Sequence, residues 1–258
     1  MIRTRVALLA VLSSLLAACG TAGSAHLQAS DVQGFAGKSV AIVYVEPARP
    51  VAAGLSIAPA GEVAGYRAYQ RFTAELAPYQ AGAQRLAVQD RAYASIYEML
   101  VGVPWLKSAV WKRIQDDSGS PQMDNLGLAT AQATHADVVV VLHAGAVVHS
   151  YVDLLSVTVR AKIYTKARPD SPRADQYKSG LLAGDGDLGN PGTFRGFGFP
   201  EASQPLAPEE VQKRLDKVFA RDGAALLRAE NGALDALRPP LLYFFTGAGE
   251  PPQPLSYY

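Results

Sequence analysis

Apolar and polar residues follow one another along the 258-residue chain as runs, helical spacings and alternations, and their order predicts its elements. A first continuous run extends from Val6 to Leu16, with Arg3 and Arg5 ahead of it. From Gly20 to Gly37 no period survives, and the Gly, Ala and Ser content predicts a tether. Lys38 to Glu46, KSVAIVYVE, is β-branched and apolar on both faces, which predicts a central strand covered on either side. Pro47 and Pro50 close it, and the Pro, Gly and Ala content to Gly61 predicts a loop. Val63, Tyr66, Tyr69, Phe72, Leu76 and Tyr79 then recur at helical spacing and predict an amphipathic helix stopped near Pro78.

Asp90 is placed to cap a second helix, with Tyr93, Ile96, Tyr97 and Leu100 on one face and Gly102 and Pro104 at its end. Pro104 to Ile114 reads as a helix opened by proline, with a strand over SAVWKRI as the alternative. Asp124 to His135 is alanine-rich and favours helix. Ala136 to His149 opens with four valines and predicts an apolar strand. Ser156 to Lys166 alternates, with Val157, Val159, Ala161 and Ile163 inward and Thr158, Arg160, Lys162 and Tyr164 outward, so the two segments predict an antiparallel hairpin. Tyr177 to Ala183 suits a third strand beside it, and Gly184 to Pro205 a long exposed loop. Pro208, Glu209 and Glu210 start a helix with the stripe Val211, Leu215, Val218, Leu226 and Leu237, which Pro239-Pro240 should break before a buried LLYFFT segment. This order predicts one α/β domain over residues 38–246, a mixed sheet flanked by helices with long Gly/Pro loops, and a flexible tail over residues 247–258.

Residues 1–18 have the layout of a cleaved secretory signal, and the apolar run is shorter than the about 20 residues needed to cross a bilayer core. Leu16-Ala17-Ala18-Cys19 resembles the lipobox of bacterial lipoprotein precursors. The resemblance implies that Cys19 is lipidated and becomes the first mature residue, so that residues 19–37 form a lipidated tether. In that family an Asp after the cysteine retains the protein at the inner membrane. Gly20 stands there in this chain, which implies the outer membrane and a domain facing the periplasm. Cys19 is the only cysteine, so its acylation leaves no thiol for a disulfide or a metal site. Cleavage removes two of 24 basic and none of 23 acidic residues, leaving 22 against 23 and a net charge of −1. Such balance, without a run of like charges, argues against a nucleic-acid partner.

The motifs that suggest chemistry fail on context. Gly184, Gly186 and Gly189 satisfy G-x-G-x-x-G, but Asp185 and Asp187 repel phosphate and the following NPGTFRGFG cannot open a helix. A calcium loop at Asp185-Gly186-Asp187 lacks the ligands expected further on. Arg195 to Phe199 matches half of a ribonucleoprotein motif until Pro200 ends it, leaving Phe197 and Phe199 as a possible partner contact. Gly54 to Ala58 approximates a nucleophile elbow without its last glycine. His143 and His149 share a strand face but lie roughly 20 Å apart, too far for one metal. Tyr66, Tyr69, Tyr93 and Tyr97 read as core before they read as a glycan platform. No cofactor, metal site or catalytic residue is expected.

KSVAIVYVE, the alanine-rich helix running into Ala136-Asp137-Val138-Val139-Val140, and the strand Val157 to Ile163 together resemble the CsgG-like group of envelope proteins. That group includes the curli secretion lipoprotein, lipoprotein activators of penicillin-binding proteins and the N-terminal domain of the TolB translocation protein. The resemblance implies a non-catalytic domain that binds an envelope protein or self-assembles. Two alternatives stand beside it: a periplasmic hydrolase or glycan-modifying enzyme using carboxylates such as Asp185 and Asp187, and a small-ligand-binding lipoprotein.

Overall fold

A computed structural model describes residues 26–54, 62–116, 135–166, 174–190 and 206–249. Six strands form one mixed sheet: β1 (Val40–Pro47), β2 (Val51–Gly54), β3 (Val110–Asp116), β4 (Val138–His149), β5 (Leu154–Lys166) and β6 (Ala174–Asp187). The sheet order is β3-β1-β4-β5-β6. β1 lies parallel to both neighbours, with Ile42 beside Trp111 on one side and Val140 on the other. The β4–β5 hairpin and β6 are antiparallel. β2 resumes the track of β1 along the second half of β4, where Gln80 holds Val51 by its own N–H and C=O.

Alternation sorts the side chains of the sheet onto two faces. On one face Ile42, Tyr44, Val140, Leu142, Val159 and Ile163 pack under α4 (Val88–Val101) and α6 (Ala224–Thr246). Towards the β4–β5 turn the same face is covered by Phe72 and Leu76 of α2 (Glu62–Leu76), Ala83 of α3 (Gln80–Arg85), and Val211, Leu215 and Val218 of α5 (Pro208–Val218). The opposite face buries Ala41, Val43, Val45, Val139, Val141 and Tyr164. The predicted α/β class with a mixed, helix-flanked sheet is the observed one.

Several boundaries differ from the sequence reading, each for a local reason. Leu27 and Phe35 are buried, Leu27 N–H donates to Phe244 O, and Ala29–Phe35 forms α1, so the tether read over residues 19–37 is bound to the fold from Leu27 onward. Val51–Gly54 is strand rather than loop, and Val110–Asp116 is strand rather than helix, because β4 and β1 offer open parallel edges that outweigh local propensity. β6 continues through Gly184 to Asp187 instead of ending at Ala183. Its glycines are where α6 lies closest: a Cβ at Gly184 or Gly186 would overlap backbone atoms of Ala233 or Ala229. The single long helix read from Pro208 is two, separated at Gly223, and α6 runs through Pro239-Pro240 to Thr246. Each interior proline costs about 3 kcal/mol, and burial of Leu237, Leu241, Phe244 and Phe245 on either side offsets that loss. Tyr66 and Tyr69 are 62% and 42% exposed and Tyr97 38%, so only Tyr93 of the four tyrosines joins the core edge. The alanine-rich segment before His135 lies outside the described residues.

A candidate polar relay and two buried ion pairs

At the turn end of the hairpin, β4, β5 and β6 bring together three side chains far apart in sequence. His149 Nε2 lies 2.7 Å from Ser156 Oγ, and Ser156 Oγ donates to Asp185 Oδ1 at 2.5 Å. The cross-strand pair Ser156 and Asp185 puts both on the face opposite α6. A hydroxyl has one proton, and here it is aimed at Asp185; the hydrogen bond to His149 must therefore be donated by Nε2–H. The neutral imidazole is thus held with its lone pair on Nδ1, the edge that lies towards Gly54 at the end of β2. Burial holds the His149 imidazolium form below its ordinary range, against the opposite pull of Asp185 and Asp153.

The same residue types occur in hydrolase triads, but the order is different. In a triad the carboxylate orients the histidine and the histidine takes the serine proton. Here the serine sits between the two, is 6% exposed, and donates its hydrogen bond to the carboxylate while keeping its proton. Asp187 accepts from Gly189 N–H at 2.7 Å. Asp185 thus joins β6 to β5, whereas exposed Asp187 is engaged in the local turn to Gly189.

The turn itself is strained and bolted down. Val152, fully buried, has φ 54, a conformation that β-branched residues rarely adopt. Asn190 Nδ2 donates to Val152 O at 2.6 Å, Arg214 Nη1 to Tyr151 O at 3.0 Å, and Leu188 N to Asp153 O at 2.8 Å. Asp153 is 5% exposed, and its Oδ1 has no hydrogen-bond partner among the described residues.

Two arginines form a second group, beside α4. Arg113 Nε meets Glu46 Oε1 at 2.6 Å and its Nη2 meets Asp90 Oδ1 at 2.5 Å, with the guanidinium 4.8 Å above the Tyr93 ring. Asp90, expected as a helix cap, instead joins α4 to β3. Arg91 Nε meets Glu230 Oε2 at 2.9 Å, and its Nη2 donates to Asn231 Oδ1 at 2.7 Å. Glu230 is fully buried in α6, and its Oε1 has no partner among the described residues. Desolvation pushes its carboxyl up to about 7 against the pull of Arg91.

Sequence reasoning missed Glu230 and Ser156. Glu230 follows Ala229 on the buried side of a helix whose other charges are exposed, and Ser156 opens an apolar alternation, so neither stood out by type or spacing. Asp185 and His149 were singled out separately, and only the strand register shows that they share a serine. Cys19, Phe197 and Phe199 lie outside the described residues. Among the described residues no helix is long and apolar enough to cross a membrane.

No protein-family model matches the chain, and no curated protein matches it. A solved structure of a hypothetical protein from Chlamydia trachomatis matches with 10% identity, covering 78% of this chain and 98% of that one, at a TM-score of 0.26.

Proposed function

We propose that this chain is a lipid-anchored envelope protein, attached through Cys19 to the outer membrane and facing the periplasm, whose α/β domain serves as a non-catalytic accessory or scaffold. The observation that carries the reading is the Leu16-Ala17-Ala18-Cys19 sequence behind a short basic and apolar leader. A multiply acylated cysteine anchors far more firmly than one chain, since each buried methylene contributes about 0.8 kcal/mol. The point where the chain joins the fold is compatible with this: Leu27 docks on Phe244 eight residues after Cys19, a span of at most about 29 Å. The scaffold half of the reading draws on the resemblance to CsgG-like envelope proteins and on the relay, whose serine and carboxylate are taken up by structure. Partners of this kind are an envelope protein or a second copy of the chain.

A Cys19→Ala variant tests the anchor. It should fail to incorporate labelled palmitate and should move from the membrane to the soluble periplasmic fraction. Continued acylation, or continued sedimentation with membranes after a high-salt wash, would refute the assignment.

A further inference from the structure

We propose that the outer edge of β3 binds an extended peptide segment of the pattern apolar-x-acidic-x-apolar, which adds to the sheet as a further strand. β3 pairs with β1 from Val110 to Asp116 and has no strand on its other side among the described residues. In a strand with one neighbour every second residue turns its N–H and C=O outward, and those of Val110 to Gln115 meet no hydrogen-bond partner among the described residues. Such a row is a template for strand addition, in which main-chain hydrogen bonds supply affinity and alternate side chains supply selectivity. The other edge of the sheet is less open: β6 carries a bulge beside Tyr164, and α6 lies directly against its Gly184 and Gly186.

The side chains of β3 specify the occupant. On the face away from α4, Val110 is 68% exposed, Ile114 is half-buried, and exposed Lys112 stands between them without an ion pair among the described residues. Arg113, on the α4 face, is neutralised by Glu46 and Asp90. The edge therefore presents one uncompensated cation between two apolar positions. A strand laid beside it sets a residue opposite each of the three, and an acid between two β-branched residues is the complement. On the α4 face the half-buried Trp111 ring lies 4.9 Å from Tyr97 and 6.2 Å from Tyr93, an aromatic wall against which the intervening side chains of the added strand would lie.

Lysine on an edge strand also repels other basic strands. A second copy pairing about Lys112 would set two lysines opposite each other, so the residue that attracts an acidic segment discriminates against this chain's own edge. The edge lies on the flank of the sheet, where a segment of a partner seated at either end of the domain can reach it. This surface gives the scaffold reading a means of holding a partner, but it stands on the geometry of β3 alone and needs no lipid anchor.

The heptapeptide acetyl-Thr-Val-Thr-Glu-Thr-Val-Thr-amide, whose pattern reads the same in both directions, tests it when titrated into the full chain in detergent. The indole N–H resonance of Trp111, assigned with Trp111→Phe, should shift and saturate with a Kd on the order of 1 mM or tighter. Replacing the peptide's Glu by Lys should weaken binding about three- to fivefold, and Lys112→Glu, an exposed substitution, should invert that preference. Methylating the peptide's amide nitrogens at its Val and Glu positions, or instead at its Thr positions, distinguishes strand addition from other binding. One set faces β3 and its methylation should cost about tenfold or more, while the other faces solvent and should cost little. Cys19→Ala should bind the peptide as the parent does, so the anchor and the edge are read separately. Equal effects of the two methylation patterns, an unchanged preference in Lys112→Glu, or no response at about 10 mM would each overturn the proposal. So would sedimentation showing a dimer of the chain that the peptide dissociates, which would make a second copy the occupant.

Discussion

At the scale of single residues, buried Glu230 and His149 contribute opposed responses to pH. Glu230 has its carboxyl raised from 4.5 to about 7, first by desolvation, with Arg91 pulling the other way. A folded-state value above the unfolded one means that the folded protein holds the proton more tightly. The associated stability is complete below pH 4.5 and is lost as pH rises through about 7. By linkage the loss is on the order of 3 kcal/mol. A Glu230→Gln variant removes this titration while keeping a polar partner for Arg91, which at 39% exposed keeps its solvation. Chemical denaturation should therefore find the variant more stable than the parent at alkaline pH, with the difference shrinking towards pH 4.5. A constant difference across that range would mean that Glu230 is charged throughout and held by Arg91 alone. His149 responds in the opposite sense: its lowered value makes the folded state prefer the neutral ring, so its contribution is present above 6.5 and fades as pH falls.

At the scale of elements, the sheet and the helix across it meet through glycine. Gly184 and Gly186 project from β6 towards α6, where Ala233 and Ala229 leave no room for a methyl group. Gly184→Ala or Gly186→Ala should cost about 3 kcal/mol or more in urea unfolding, since backbone atoms on both sides must move. Gly34→Ala, in α1 with nothing within 4 Å of the added atom, should instead be neutral or stabilising by about 0.5–1 kcal/mol. Equal effects at the three sites would mean that helix and strand are less closely packed than this. The same glycines show what a single sequence conveys. Val138 to Val141 and the alternation from Val157 to Ile163 announced their strands because burial there follows backbone period. Gly184-Asp185-Gly186-Asp187 reads as a loop by composition and is strand, because its glycines answer a helix more than forty residues away. Pro239-Pro240 reads as a stop and is passed, because the apolar residues on both sides are buried in one core. The relay was illegible for a related reason: its three members acquire meaning only through the register of β4, β5 and β6.

At the scale of the whole molecule, the strand directions create two unlike poles. Leu27, α1, the starts of β1 and β4, and the end of α6 share one pole, tied by Leu27 to Phe244 and by Ser39 to Asp137 at 2.7 Å. The turn with Val152, the His149–Ser156–Asp185 relay, and the α5–α6 junction share the other. The twelve residues of β4 separate the poles by about 40 Å. If Cys19 carries the lipid, the short span to Leu27 holds the first pole near the bilayer, and the second faces away. A scaffold must present its partner-binding surface where a partner can reach it, which favours the second pole. Photo-crosslinking residues placed at exposed Arg221, on the far pole, and at exposed Lys38, on the near one, separate the alternatives in cells. The far position should give a discrete crosslinked species that includes an envelope protein or a second copy, and the near position should give none or only lipid adducts. The reverse pattern would place the partner against the membrane-side pole and turn this arrangement upside down. With Cys19→Ala the far position should lose its discrete crosslink and the near position any lipid adduct, if the anchor is what concentrates the domain beside a membrane-bound partner.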